Sequence, residues 1–157
     1  MTENEPGMKL ATALSERADI QNRISELSER LKQNAKTQDG EKPAEEPAIL
    51  LSELDRLLLR LEELVRRIND TNAKTVYEGE TLSSLLARRD ALKLRIRVLR
   101  EFLTAASQKI DRYSQKEILI RSTVDVSAMQ KQLDGYSKEL RHLDDTIQGL
   151  NWTTELL

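Results

Sequence analysis

The sequence predicts an all-α protein: a long antiparallel four-helix or coiled-coil bundle of two helical hairpins, with a short extended segment near 115–124. Three observations carry this. Proline occurs only at positions 6, 43 and 47, so no proline interrupts a helix from Ala48 to Leu157. Leucine and isoleucine recur at alternating steps of three and four, the spacing of a helix with one apolar stripe. Charged residues make up 33% of the chain and aromatics only 3%, the composition of long two-sided helices that bury a thin seam.

Residues 1–7 are expected to form a disordered N-terminus ahead of a single helical domain over 8–157. The first helix is predicted over about 8–36, on the seam Leu10, Ala13, Arg17, Ile20, Ile24, Leu27 and Leu31, widened by Leu14. A polar connector marked by Gly40, Pro43 and Pro47 follows. The second helix is predicted over 47–71, with proline suited to its first turn. Its seam is Leu50, Leu54, Leu57, Leu61, Leu64 and Ile68, and Leu51, Leu58 and Val65 make a second stripe beside it. Two stripes predict burial on a broad face against more than one neighbour. The run Asn69-Asp70-Thr71-Asn72 competes for backbone hydrogen bonds and is expected to end this helix, with a turn at Gly79.

The third helix is predicted over 81–110, capped by Thr81. Tyr113 to Val124 loses the helical stripe and gains β-branched residues, which predicts an extended segment. Asp125 or Thr123 is expected to cap the fourth helix, over 125–148, with Gly135 as a point of close packing and Gly149 as its end. The tail from Leu150 carries the single tryptophan, Trp152.

An offset of 72 residues lays the first hairpin on the second: Leu10 meets Leu82, Arg17 meets Arg89, Ile24 meets Ile96, and Leu61 meets Leu133. Arg17 and Arg89 each stand where leucine is expected. A buried arginine needs a carboxylate or carbonyls, and Glu16, Asp19 and Asp90 lie nearby. The pair reads as register control, as an anion pocket, or as side chains that snorkel to water.

The unpaired extended segment predicts strand pairing between two molecules, since the β-like stretch Thr75-Val76-Tyr77 lies at the far end of the third helix. The expected partner is therefore the chain itself, as a dimer or a multiple of two, with an unidentified protein or small ligand beside it.

Chemistry is sparsely encoded. The chain has no cysteine, which excludes disulfides, zinc thiolate sites and thiol nucleophiles. Glu139 and His142 have the spacing of two metal ligands on one helix face, but the chain has a single histidine. No cofactor is expected. The net charge of −2 gives no reason to expect nucleic acid or a membrane as partner. Arg88, Arg89, Lys93, Arg95, Arg97 and Arg100 form a basic stripe, expected to pair with Glu16, Asp19, Glu26 and Glu29 of the first helix. The acidic, polar N-terminus lacks the pattern of a signal peptide, so a cytoplasmic location is expected. Asn151-Trp152-Thr153-Thr154-Glu155 is expected to dock as a tail with its ring buried.

Taken in order, Met8-Lys9-Leu10, Glu16-Arg17-Ala18-Asp19, Ile68-Asn69-Asp70-Thr71-Asn72-Ala73, Ala87-Arg88-Arg89-Asp90, Arg112-Tyr113-Ser114, Thr123-Val124-Asp125-Val126 and Asn151-Trp152-Thr153 resemble the septicolysin-like family of small bacterial proteins. The resemblance implies a bacterial source and singles out Arg17, Asp19, Asn69, Asn72, Arg89, Asp90 and Tyr113 as candidate ligand-binding residues. The family name implies an oxygen-labile, pore-forming haemolysin. Oxygen lability normally rests on a cysteine, and this chain has none. The functional expectation is a non-enzymatic, self-assembling helical interaction protein. The alternative is a ligand or metal binder, or an enzyme, with a polar site at a subunit interface.

Overall fold

The computed structural model describes residues 7–108 and 120–157. Among these lie four helices, α1 (Leu10–Gln33), α2 (Pro47–Lys74), α3 (Leu82–Ser107) and α4 (Val126–Thr153), and two short strands, β1 (Val76–Tyr77) and β2 (Glu80–Thr81). The expected disorder of residues 1–6 and most of the expected extended segment, with Tyr113, lie outside the described residues. Ile120–Val124 carries no strand. By packing, the chain divides into two compact units, Met1–Leu82 with Gly149–Leu157, and Ser83–Gln148.

In the first unit α1 and α2 form an antiparallel hairpin. Leu10, Ala13, Ile20 and Leu27 of α1 and Leu50, Leu57, Leu64 and Ile68 of α2 are buried. Helix α1 ends at Gln33, three residues before the expected end, because Asn34 turns the chain. Its Nδ2 donates to the Arg30 carbonyl at 2.8 Å, and its Oδ1 accepts the Glu45 N–H at 2.9 Å. Pro47 opens α2, where its missing N–H costs nothing.

Helix α2 does not end at Asn69–Asn72; it runs on to Lys74. Thr71 is fully buried, and its Oγ1 donates to the Arg67 carbonyl one turn back at 2.8 Å. With its hydroxyl satisfied inside the helix, the polar run cannot break it. Beyond Thr75 the chain forms a tight hairpin in which Val76 pairs with Thr81 and Tyr77 with Glu80. Glu78 (φ 48) and Gly79 (φ 84) both take the left-handed conformation that a two-residue hairpin turn demands. The β-like stretch thus finds its partner four residues on, and intermolecular pairing is not needed for it.

Residues after α4 tie the unit together. The Leu10 N–H, an orphan donor at the start of α1, donates to the Thr154 carbonyl at 2.9 Å, and Leu156 N–H donates to Met8 O at 2.8 Å. Lys9 and Glu155 form the bridge between these bonds. The residue that docks the tail is Leu156, which is buried. Trp152 is 66% exposed, contrary to the expected buried ring.

In the second unit α3 and α4 also pack antiparallel. Leu92, Ile96, Leu103 and Leu133 form the core, and Val126, Met129, Tyr136 and Leu140 pack against it. The Arg95 guanidinium lies 5.0 Å from the Tyr136 ring centroid. Asp125 caps α4 by accepting the Ala128 N–H at 3.0 Å. Gly149 does not end this helix, which continues to Thr153. Gly135 is not a point of close packing, since a Cβ there would meet nothing within 4 Å.

Candidate functional site

The two flanks of the α1–α2 hairpin differ in chemistry. One is zipped by ion pairs at seven-residue intervals along α1. Arg60 Nε and Nη2 clasp the Glu16 carboxylate at 2.7 and 3.0 Å. Arg23 Nη2 donates to Glu53 at 3.2 Å, and Arg30 Nε to Glu45 at 3.0 Å. The hydrogen bonds from Arg60 hold the Glu16 carboxyl below its ordinary range, and those from Arg30 do the same for Glu45. Glu16 and Glu63 together push the Arg60 guanidinium up. Along α1 these residues run acid, base, base and their partners run base, acid, acid, a pattern present in the sequence but readable only once the hairpin register is known.

The other flank is apolar and open. Leu51 and Leu58 of α2, seven residues apart, are 49% and 44% exposed, although a second buried stripe was expected there. Leu54, Leu61 and Val65 beside them are half-buried, as are Leu14 and Ile24 of α1. The face runs from Leu51 to Val65, roughly 21 Å by helix rise. Among the described residues none covers Leu51 and Leu58, and α1 packs on the buried side of α2.

Arg17 lies on this open flank. It follows Glu16 by one residue, about 100° around the helix, and so turns away from the zipper. It is half-buried and makes no hydrogen bond or ion pair with a described residue. Glu16, one of its expected partners, belongs to Arg60 instead. On the α2 rim of the same flank stand Asp55 and Glu62, both exposed and both without an ion pair to a described residue.

The other candidates do not converge on Arg17. Asp19 is exposed on α1. Asn69 and Asn72 lie 9 and 12 residues beyond Arg60, which is level with Glu16, so they stand roughly 13 and 18 Å along the hairpin. Arg89 and Asp90 belong to the second unit and pair with each other, with Nε and Nη2 each 3.3 Å from Asp90 Oδ1. Glu139 and His142 are exposed on α4. Among the described residues no group of three or more His, Cys, Asp or Glu is placed to hold a metal ion. Two of the α1 acids have partners within the first unit: Glu16 binds Arg60 and Glu29 binds Lys32. A second apolar stripe, Leu94, Val98 and Phe102, is exposed on α3. No helix among the described residues is long and apolar enough to cross a membrane.

Sequence reasoning missed Arg60, Arg67 and Thr71. Arg67 Nε donates to the Leu157 carbonyl oxygen at 2.6 Å, and Thr71 Oγ1 accepts the Leu157 N–H at 3.0 Å. No signal in the local sequence links residues 86 positions apart.

A solved crystal structure, of a functionally unknown conserved protein from Corynebacterium diphtheriae, superposes with a TM-score of 0.90 at 43% identity, covering 97% of this chain and 100% of that one. No curated protein matches. Residues 17–156 match DUF6847, a family of unknown function.

Proposed function

Because this chain belongs to the family of unknown function DUF6847, we propose its role from geometry alone: a non-enzymatic helical interaction protein that works as a homo-oligomer, a dimer or a multiple of two. The observation that carries this reading is the exposure of Leu51 and Leu58 at heptad spacing on an otherwise apolar flank. Apolar residues gathered on one helix face mark a surface that associates, whereas scattered ones need no explanation. The heptad seams further support coiled-coil packing within each hairpin.

The septicolysin-like resemblance enters the reading through the helical build, without haemolysis. Leaving haemolysis out of the reading rests on the missing cysteine.

Native mass spectrometry of the full chain tests the proposal. A dimer or higher even oligomer without added mass is expected. A bare monomer at micromolar concentration would overturn it. A stoichiometric extra mass would move the weight to a ligand site between subunits, for which the half-buried Arg17 is the candidate.

A further inference from the structure

Resting on that self-assembly reading, we infer that the open flank of the α1–α2 hairpin is closed by the same flank of a second copy, with Arg17 paired to Glu62 of that copy. Two antiparallel helices leave two grooves along their contact. Here one groove is filled by the Glu16–Arg60, Arg23–Glu53 and Arg30–Glu45 pairs. The other has leucine on its wall and a cation on α1 facing an acidic rim on α2. A surface with its cation on one helix and its acids on the other is complementary to itself.

Symmetry then fixes the match. A two-fold axis along the helices lays α1 of one copy antiparallel to α2 of the other at the level the two helices share within one chain. Glu16 is level with Arg60 inside the chain. Arg17 therefore stands level with the stretch of the second copy's α2 bracketed by Asp55 and Glu62. Leu51 and Leu58 of each copy lose their exposure in the same step. Arg17 would otherwise remain half desolvated without a counter-ion, a costly arrangement that the second copy relieves. Neither Asp55 nor Glu62 has an ion pair with a described residue to give up.

The α3 stripe of Leu94, Val98 and Phe102 is the rival surface. The charges that flank it, Lys93, Arg95, Arg97 and Arg100 against Glu101, are mostly of one sign, so two copies of it repel.

The test is sedimentation of the full chain and three variants, with helical content and melting followed by circular dichroism. Leu51→Glu with Leu58→Glu is expected to weaken the dimer by at least about 100-fold. Arg17→Glu is expected to weaken it about tenfold, and Glu62→Arg added to Arg17→Glu to restore it. Should the leucine double variant lose its helical signal, the charge swap decides alone. A dimer indifferent to both sets of changes would overturn this interface and leave self-assembly standing, through α3. A monomeric parent chain would overturn both.

Discussion

Thr71 and Leu157 are joined by a hydrogen bond in which the Leu157 N–H donates to Thr71 Oγ1 at 3.0 Å, while the same hydroxyl donates to the Arg67 carbonyl at 2.8 Å. The threonine is fully buried, so both roles of its hydroxyl are used out of water. Thr71→Val keeps the shape and removes the acceptor, which leaves the Leu157 N–H unmatched. The expected cost is about 1–3 kcal/mol of unfolding free energy, measured by urea denaturation. A midpoint equal to that of the parent chain would show that Leu157 is not held here.

Acid should loosen the α1–α2 hairpin through Glu16. Arg60 depresses its carboxyl below the ordinary 4.5. A group depressed in the folded state adds stability above its unfolded value, and that contribution disappears as pH falls through the folded value. The Glu16 contribution is therefore present at neutral pH and lost progressively below 4.5. Glu16→Gln is expected to lower stability at pH 7 and to flatten its fall on acidification. Melting curves across pH 3 to 7 check this, and parallel profiles for parent and variant would contradict it.

Gly135 and Gly149 lie inside α4 with open space where a Cβ would stand. Each weakens the helix without a packing reason. Gly135→Ala and Gly149→Ala are each expected to stabilise the chain by up to about 1 kcal/mol, read as a higher melting temperature. A fall in either variant would mean that a neighbour occupies the site.

Leu64 and Leu59 belong to the same helix and differ in burial: Leu64 is fully buried and Leu59 is 70% exposed. Leu64→Ala is expected to cost about 2–5 kcal/mol. Leu59→Ala should stay within roughly 0.5 kcal/mol and, being off the open flank, should leave the oligomeric state unchanged. Equal losses in the two variants would contradict the assigned face of α2.

Local physics made much of this molecule legible. The three-and-four spacing of Leu50, Leu54, Leu57, Leu61, Leu64 and Ile68 specifies a helix and its inward face without knowledge of any neighbour. Pro47 at the start of α2 and Gly79 in the turn act through their own backbones, and Asp125 before α4 through its own side chain. Each of these was readable because its cause lies within a few residues.

The extension of α2 past Asn69 was not readable in that way. Asn, Asp and Thr favour an ending there, whereas the buried Thr71 hydroxyl bonds back to the Arg67 carbonyl and also receives the Leu157 N–H. The partner of Glu16 was equally hidden. Arg17 is adjacent in sequence, but the helix turns it about 100° away, and the antiparallel register brings Arg60 to the carboxylate instead. Periodicity alone also predicted burial for Leu51 and Leu58, because it reports which residues are apolar and not whether anything covers them. The sequence by itself determined the helices, the Asp125 cap of α4 and the apolar stripes, since these depend on contacts one or two turns away. Only the tertiary structure decided which charges pair, where Leu156 and Leu157 anchor and which stripe stays open, since these depend on residues brought together across the fold, from Arg30 and Glu45 to Met8 and Leu156.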